Sequence, residues 1–362
     1  MSFYDILGRP LLFSFDAEKA HGLSIAALKL GMPICPPAPK SSRLAVKLAG
    51  LDFPNPLGMA AGYDKNAEVP DGLLKLGFGF VECGTLTPKA QSGNPQPRIF
   101  RLIEDRAVIN RMGFNNDGHA PALARVAGRA SRGGIVGINV GANKDSEDRI
   151  ADYEQGVRRF AKVASYLTIN ISSPNTVGLR ALQERESLAE LLARVIQARS
   201  TLPQGQGAET PIFLKIAPDL DQQSLQDIAE EVLDKKIDGL IVSNTTLSRA
   251  GLKSAAASET GGMSGAPLFE RSTVVLAKMR KLVGQELPII GAGGVDSAET
   301  ALEKVRAGAD LVQIYTGLIY GGPQLPARIL RDLDRKLVEL GASSVTDLRD
   351  TRLDDWANRP LD

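Results

Sequence analysis

From Asn55 onward the chain alternates between short apolar runs that end in small or polar residues and longer segments of helical period. The runs are NPLGMAAG, FVECGT, GIVGINVG, YLTINISS, PIFLKIAP, GLIVSNTT, LPIIGAGGV and LVQIYTGL. Between them lie segments such as SLAELLARVIQARS, SLQDIAEEVLDKK, SAETALEKVRAG and LPARILRDLDRKLVEL, a spacing too long for hairpins. Such alternation predicts a parallel sheet covered by helices. Eight repeats over roughly 280 residues predict a (β/α)8 barrel rather than an open doubly wound sheet, because eight strands close and such barrels run to about 250 residues.

A smaller unit precedes the barrel. Phe3, Tyr4, Ile6, Leu7, Leu11, Leu12, Phe13 and Phe15 make its start strongly apolar. Asp16 can cap a helix from about Ala17 to Leu30, along which Ala20, Leu23, Ala27 and Leu30 recur at helical spacing. Pro33, Pro36, Pro37 and Pro39 end the unit, since each fixes φ and discourages helix before it. The expected division is a helical unit over 1–40, a barrel over 41–340 and a charged, irregular extension over 341–362, packed by Trp356 and without an assigned role.

Composition narrows the function classes. Lys and Arg total 43 against 42 acidic residues, a net charge of +1, so no basic field exists to hold nucleic acid. The two cysteines, Cys35 and Cys83, form no C-x-x-C pair, which suits a reducing compartment; Cys83 reads as a small core residue. The N-terminus lacks the features of a secretory signal or organelle presequence and reads as part of the mature protein. No run of about 18 apolar residues suggests a membrane span.

In a barrel of this kind the C-terminal strand ends carry the chemistry. In order they present Gly62, Asp64 and Lys65; Gly84 and Thr85; Asn139 and Asn143; Asn170, Ser173 and Asn175; Lys215; Ser243, Asn244 and Thr245; the glycines of GAGGV; then Tyr315, Thr316 and Gly317. His21 and His119 fall at none of these ends, and no cluster has metal-ligand spacing, which argues against metal catalysis and against a Ser-His-Asp triad. GAGGVDSAE places bare backbone N–H groups where a phosphate can sit, or is simply a tight turn. Lys215 interrupts an otherwise apolar strand with no carboxylate near it in sequence. It forms an internal salt bridge or neutralises charge on a bound ring system, as at N1 and the C2 carbonyl of a flavin. Lys65 alone reads as a loop lysine. Asn110, Asn170, Asn175 and Asn244 could read the imide edge of a heterocycle, each amide offering a donor and an acceptor; singly, each could be a turn residue.

The motifs NPLGMAAGYDKNAE, GFGFVECGTLTP, PRIFRL, INRMGFNNDG, GINVGANKD, INISSPNTVGLR, KIAPDL, SNTTL, TGGMSGAPL, PIIGAGGVDS and LVQIYTGLIYGGP are spread over nearly the whole span from Gly50 to Pro323. Together they resemble the dihydroorotate dehydrogenase family, in its membrane-associated, quinone-dependent class. The resemblance implies that Ala61, Gly62, Lys65, Thr85, Asn139, Asn170, Lys215, Ser243, Gly265, Gly293, Gly294, Tyr315 and Thr316 line FMN. It implies that Lys65, Asn110, Arg111, Met112, Gly113, Phe114, Asn170, Asn175, Asn244 and Thr245 hold dihydroorotate or orotate, and that Ser173 is the catalytic base. Serine is a feeble base, so its proton must pass onward, through water near Thr176 and Phe114. The class rests on a serine where cytosolic relatives use cysteine and on the N-terminal apolar unit, a lid that would admit a quinone tail, with Arg9 a candidate polar contact at its mouth. A monomer without metal is expected, peripheral to the cytoplasmic face of a bacterial cell membrane. The alternatives are a fumarate- or NAD-linked relative, another barrel flavin oxidoreductase, or a non-catalytic phosphate-ligand binder or membrane-docking scaffold.

Overall fold

The structure, a computed structural model, describes residues 4–32 and 35–361, so Phe3 and Pro33 lie outside the described residues. The eight apolar runs form eight parallel strands: Leu57–Met59, Phe80–Leu86, Ile135–Val140, Tyr166–Asn170, Ile212–Ile216, Gly239–Val242, Ile289–Ala292 and Leu311–Ile314. They pair in chain order and the eighth returns to the first, Ile314 opposite Met59, which closes the barrel. The floor is filled by complementary sizes. Rings of Phe80, Tyr166 and Phe213 stack edge to face, 6.4 and 5.4 Å apart. Each ring lies against a glycine of a neighbouring strand, Gly58, Gly137 and Gly239, where an added Cβ would stand only 2.2–2.3 Å from it. The hairpin Val46–Leu48 and Leu51–Phe53 covers this end, with Phe53 edge-on to Phe80 at 5.2 Å.

The opposite end carries a second sheet that the apolar pattern does not announce. Strands Ile99–Leu102, Ala107–Asn110 and Gly262–Gly265 pair antiparallel around their own small core of Leu102, Ala107, Ile109 and Met263. Over this end lies the N-terminal unit, helices Arg9–Ser14 and Ala17–Lys29. Asp16 caps the longer helix by accepting from Glu18 N at 2.9 Å and Lys19 N at 3.2 Å. Ile25 and Leu28 face inward, while Ile6, Leu7, Leu11, Phe15, Leu23, Leu30 and Met32 are 41–83% exposed.

The C-terminal extension is a buttress. Trp356, on the short helix Leu353–Ala357, packs its ring edge-on to Phe269 at 6.0 Å and donates its indole N–H to Glu303 at 2.7 Å. Arg352 joins the same carboxylate at 2.6 Å, so the extension grips two helices of the outer ring, Phe269–Val283 and Ala298–Arg306. Among the described residues no helix is long and apolar enough to cross a membrane.

Candidate active site

The C-terminal strand ends open into a cavity of about 710 Å³, roofed by the second sheet and the N-terminal helices. Its size is that of a cofactor-sized site. The wall includes Ala61, Gly62, Lys65, Thr85, Asn170, Lys215, Ser243, Gly265, Gly293, Gly294, Tyr315 and Thr316, together with Asn110, Met112, Gly113, Phe114, Ser173, Asn175, Asn244 and Thr245. Two residues expected there are elsewhere. Asn139 stands one layer behind the wall. The Arg111 guanidinium is drawn to Glu259 at 2.7 Å and over the Phe100 ring at 4.5 Å, because a carboxylate and a π face lie on the far side of the second sheet. Arg9 is not part of the wall either.

The asparagines are held in two hydrogen-bonded groups. Asn170 Nδ2 donates to Thr85 Oγ1 at 2.9 Å, and Asn170 Oδ1 accepts from Ser172 Oγ at 2.6 Å. Asn244 Nδ2 donates to the same Ser172 Oγ at 2.9 Å. Asn175 Nδ2 reaches Asn110 Oδ1 at 3.3 Å across the chamber. Amides so fixed keep their remaining polar groups oriented, and all four line the cavity. Ser172 links two of them, yet INISSPNT read by strand-end position draws attention to Ser173 instead.

Two cations serve the cavity. Lys65 Nζ donates to Gly62 O at 2.7 Å, and burial pulls its pKa down to about 8. It is therefore not a solvated loop lysine. Burial lowers the Lys215 pKa too, and among the described residues Nζ has no hydrogen-bond acceptor or ion-pair partner. The sequence places no carboxylate near Lys215; the fold does, because Glu82 from the second strand faces the same barrel interior and raises that pKa. Glu82 is wholly buried and accepts from Asn139 Nδ2 at 2.7 Å, Tyr166 Oη at 3.0 Å and Gln313 Nε2 at 2.9 Å. These three donors satisfy the buried carboxyl group.

Ser173 is 6% exposed, and its Oγ accepts the N–H of Asn175 at 3.2 Å. It shapes the turn and faces the cavity at once. The other half of the chamber is apolar, walled by Leu12, Phe13, Leu23, Ala27 and Leu28 of the N-terminal unit. His21 stands there edge-on to Tyr63 at 5.1 Å, and burial drops its pKa to about 3. Arg101 packs over the Phe13 ring at 4.7 Å and donates to the carbonyls of Leu12 and Phe15. The two halves are braced together. Glu18 on the long N-terminal helix pairs with Arg98 at 2.6 Å, Arg98 donates to Asn94 O at 2.8 Å, and Asn94 Nδ2 donates to Asn175 O at 3.2 Å.

Fold and site define a class: a (β/α)8 barrel with an amide-rich polar chamber joined to an apolar one. The family model described as dihydroorotate dehydrogenase matches residues 43–337. A protein of Chelativorans sp. (strain BNC1) named dihydroorotate dehydrogenase (quinone) is 66% identical over 361 residues, covering 100% of this chain and 99% of its own. One of the same name from Brucella anthropi is 64% identical, covering 99% and 98%. Among solved structures, ligand-free DHODH from Eimeria tenella superposes with a TM-score of 0.89 at 39% identity, covering 95% of this chain and 100% of that one. The complex of that enzyme with ferulenol gives 0.86, covering 92% and 95%. The chain belongs to the dihydroorotate dehydrogenase family, a flavin-dependent family, and is an oxidoreductase. That membership sets aside the non-catalytic scaffold.

Proposed function

We infer that this protein oxidises (S)-dihydroorotate to orotate in de novo pyrimidine synthesis, with FMN as its flavin and a membrane quinone as final acceptor. One observation carries the reading. An amide-rich chamber and an apolar chamber are halves of a single cavity, with Lys215, whose Nζ makes no hydrogen bond among the described residues, at the strand ends below.

The residues present fit a flavin nucleotide. Lys215 lacks a partner that an electron-rich ring edge supplies, and Gly293 and Gly294 have positive φ with no room for a side chain, an added Cβ meeting Ser272 Oγ at 2.7 Å and Phe269 Cβ at 2.4 Å. Ala61, Gly62, Lys65, Thr85, Asn170, Lys215 and Ser243 would hold the ring and ribityl chain, with Asn139 orienting Thr85 from behind at 2.5 Å. Gly265, Gly293, Gly294, Tyr315 and Thr316 would receive the phosphate. When bound, FMN accepts hydride from C6 of dihydroorotate and delivers the electrons to quinone.

The protein's own part is to bind, orient and take a proton. Asn110, Asn170, Asn175, Asn244 and Thr245 read the flat pyrimidine, and the Lys65 ammonium holds its carboxylate. Ser173 Oγ removes the C5 proton. The Asn175 N–H already donated to that oxygen stabilises the charge it gains as its own proton leaves toward water near Phe114 and Thr176. The seven exposed apolar side chains of the N-terminal unit support peripheral attachment to a membrane, at the cytoplasmic face of a bacterial cell, and an apolar route for the quinone. On this reading residues 1–40 serve membrane and quinone, 41–340 the chemistry, and 341–362 stability, in a monomer.

The test is spectroscopic. Anaerobic dihydroorotate should bleach the yellow protein and ubiquinone should recolour it, with fumarate and NAD⁺ ineffective; a protein that stays yellow under dihydroorotate ends the reading. Ser173→Ala should keep FMN but bleach slower at neutral pH by about 10²–10⁴-fold, the usual contribution of a positioned base.

A further inference from the structure

Behind the seventh strand end lies a second buried lysine that the chemistry above leaves unused. Lys304, on helix Ala298–Arg306, is wholly buried, and its stem passes Gly291 of the seventh strand, where an added Cβ would lie 3.5 Å from Lys304 Cδ. Its Nζ donates to Ser272 Oγ at 2.7 Å and lies 5.2 Å from the centre of the Phe269 ring. Among the described residues no carboxylate pairs with it, and burial alone pushes its pKa well down. An ammonium dehydrated against one hydroxyl and one ring is costly to retain without an anion.

Ser272 carries the contact forward. Its Oγ lies 3.1 Å from both Phe269 O and Gly293 O, so its one proton is shared between the outer helix and the turn, and Ser272 is not part of the cavity wall whereas Gly293 and Gly294 are. The Gly293 carbonyl is thus drawn to the rear of the turn. The Gly293–Gly294 peptide is not among the cis bonds, so the Gly294 N–H points opposite to that carbonyl, away from Ser272. That N–H makes no backbone hydrogen bond.

We propose that Lys304 is a positioning residue for the flavin phosphate: acting through Ser272, it aims the Gly294 N–H and supplies the counter-charge that makes the site prefer a phosphorylated flavin to a phosphate-free one. The inference rests on the FMN reading above. A phosphate in front of the turn keeps the proton on Lys304, and Lys304 in turn holds the turn in its anion-binding form.

The holoenzyme supplies the test. Flavin fluorescence regained on dilution gives the FMN dissociation constant, and exchange against riboflavin gives that of the phosphate-free flavin. Lys304→Met, which keeps the length of the stem, should weaken FMN about tenfold and leave riboflavin unchanged, a size typical of one partly shielded charge pair. Ser272→Ala, a smaller change, should move the same ratio in the same direction and serves where Lys304→Met does not fold. Equal weakening of both flavins, or an unchanged ratio in a folded variant, overturns the proposal. A wild-type protein with no preference for FMN over riboflavin would instead remove the FMN reading on which it stands.

Discussion

A lysine at the edge of a water-excluded cavity is a pH-sensitive hand for an anion. Lys65 loses its proton near pH 8 because burial disfavours the charged form, a cost only partly offset by Glu18 and Asp64. Below that pH it is an ammonium that can hold a carboxylate; above it, a neutral amine. The kcat/KM for dihydroorotate should therefore fall as pH rises through 8, approaching tenfold per unit, and Lys65→Met should flatten that limb. A pH profile with no break near 8 in the wild type would detach Lys65 from the substrate. At this scale the sequence was legible where a residue stands at a strand end, as Ser173, Asn170 and Lys215 do. Glu82 escaped because it lies inside FVECGT, where a charged residue carries no mark of facing inward. Its role exists only once Asn139, Tyr166 and Gln313 arrive from three other strands.

The barrel strands are legible because each is a contiguous apolar run buried on both faces, and the interleaved helices carry their own period. The second sheet is not. Its strands are four residues long, and Gly262–Gly265 pairs with Ala107–Asn110 across more than half of the barrel's sequence, a separation that no local pattern encodes. The extension is legible only through its single tryptophan. Trp356→Ala removes a ring 5% exposed and its bond to Glu303, and should cost about 3–5 kcal/mol, the usual cost of emptying a large aromatic site. Urea unfolding should show the loss while the rate of bleaching by dihydroorotate stays within about twofold, since the extension braces helices rather than the cavity.

The whole molecule carries a net charge of only +1, so on the proposed reading overall charge adds little attraction to anionic lipid and the exposed apolar surface would carry the attachment. Leu7 and Leu11 are 57% and 63% exposed, and inserting a leucine is worth about 1.5–3 kcal/mol. Leu7→Asp with Leu11→Asp should reduce co-flotation with phospholipid vesicles at least about tenfold, with little sensitivity to salt, and leave bleaching intact. Retained flotation would place the contact elsewhere on the surface. The brace from Glu18 through Arg98 and Asn94 to Asn175 gives this arrangement a mechanical meaning. The helix that would rest on the bilayer and the turn that carries Ser173 are joined end to end by these contacts. A tilt of the first relative to the barrel would then be felt, without any ligand, at the turn on which the proposed base stands.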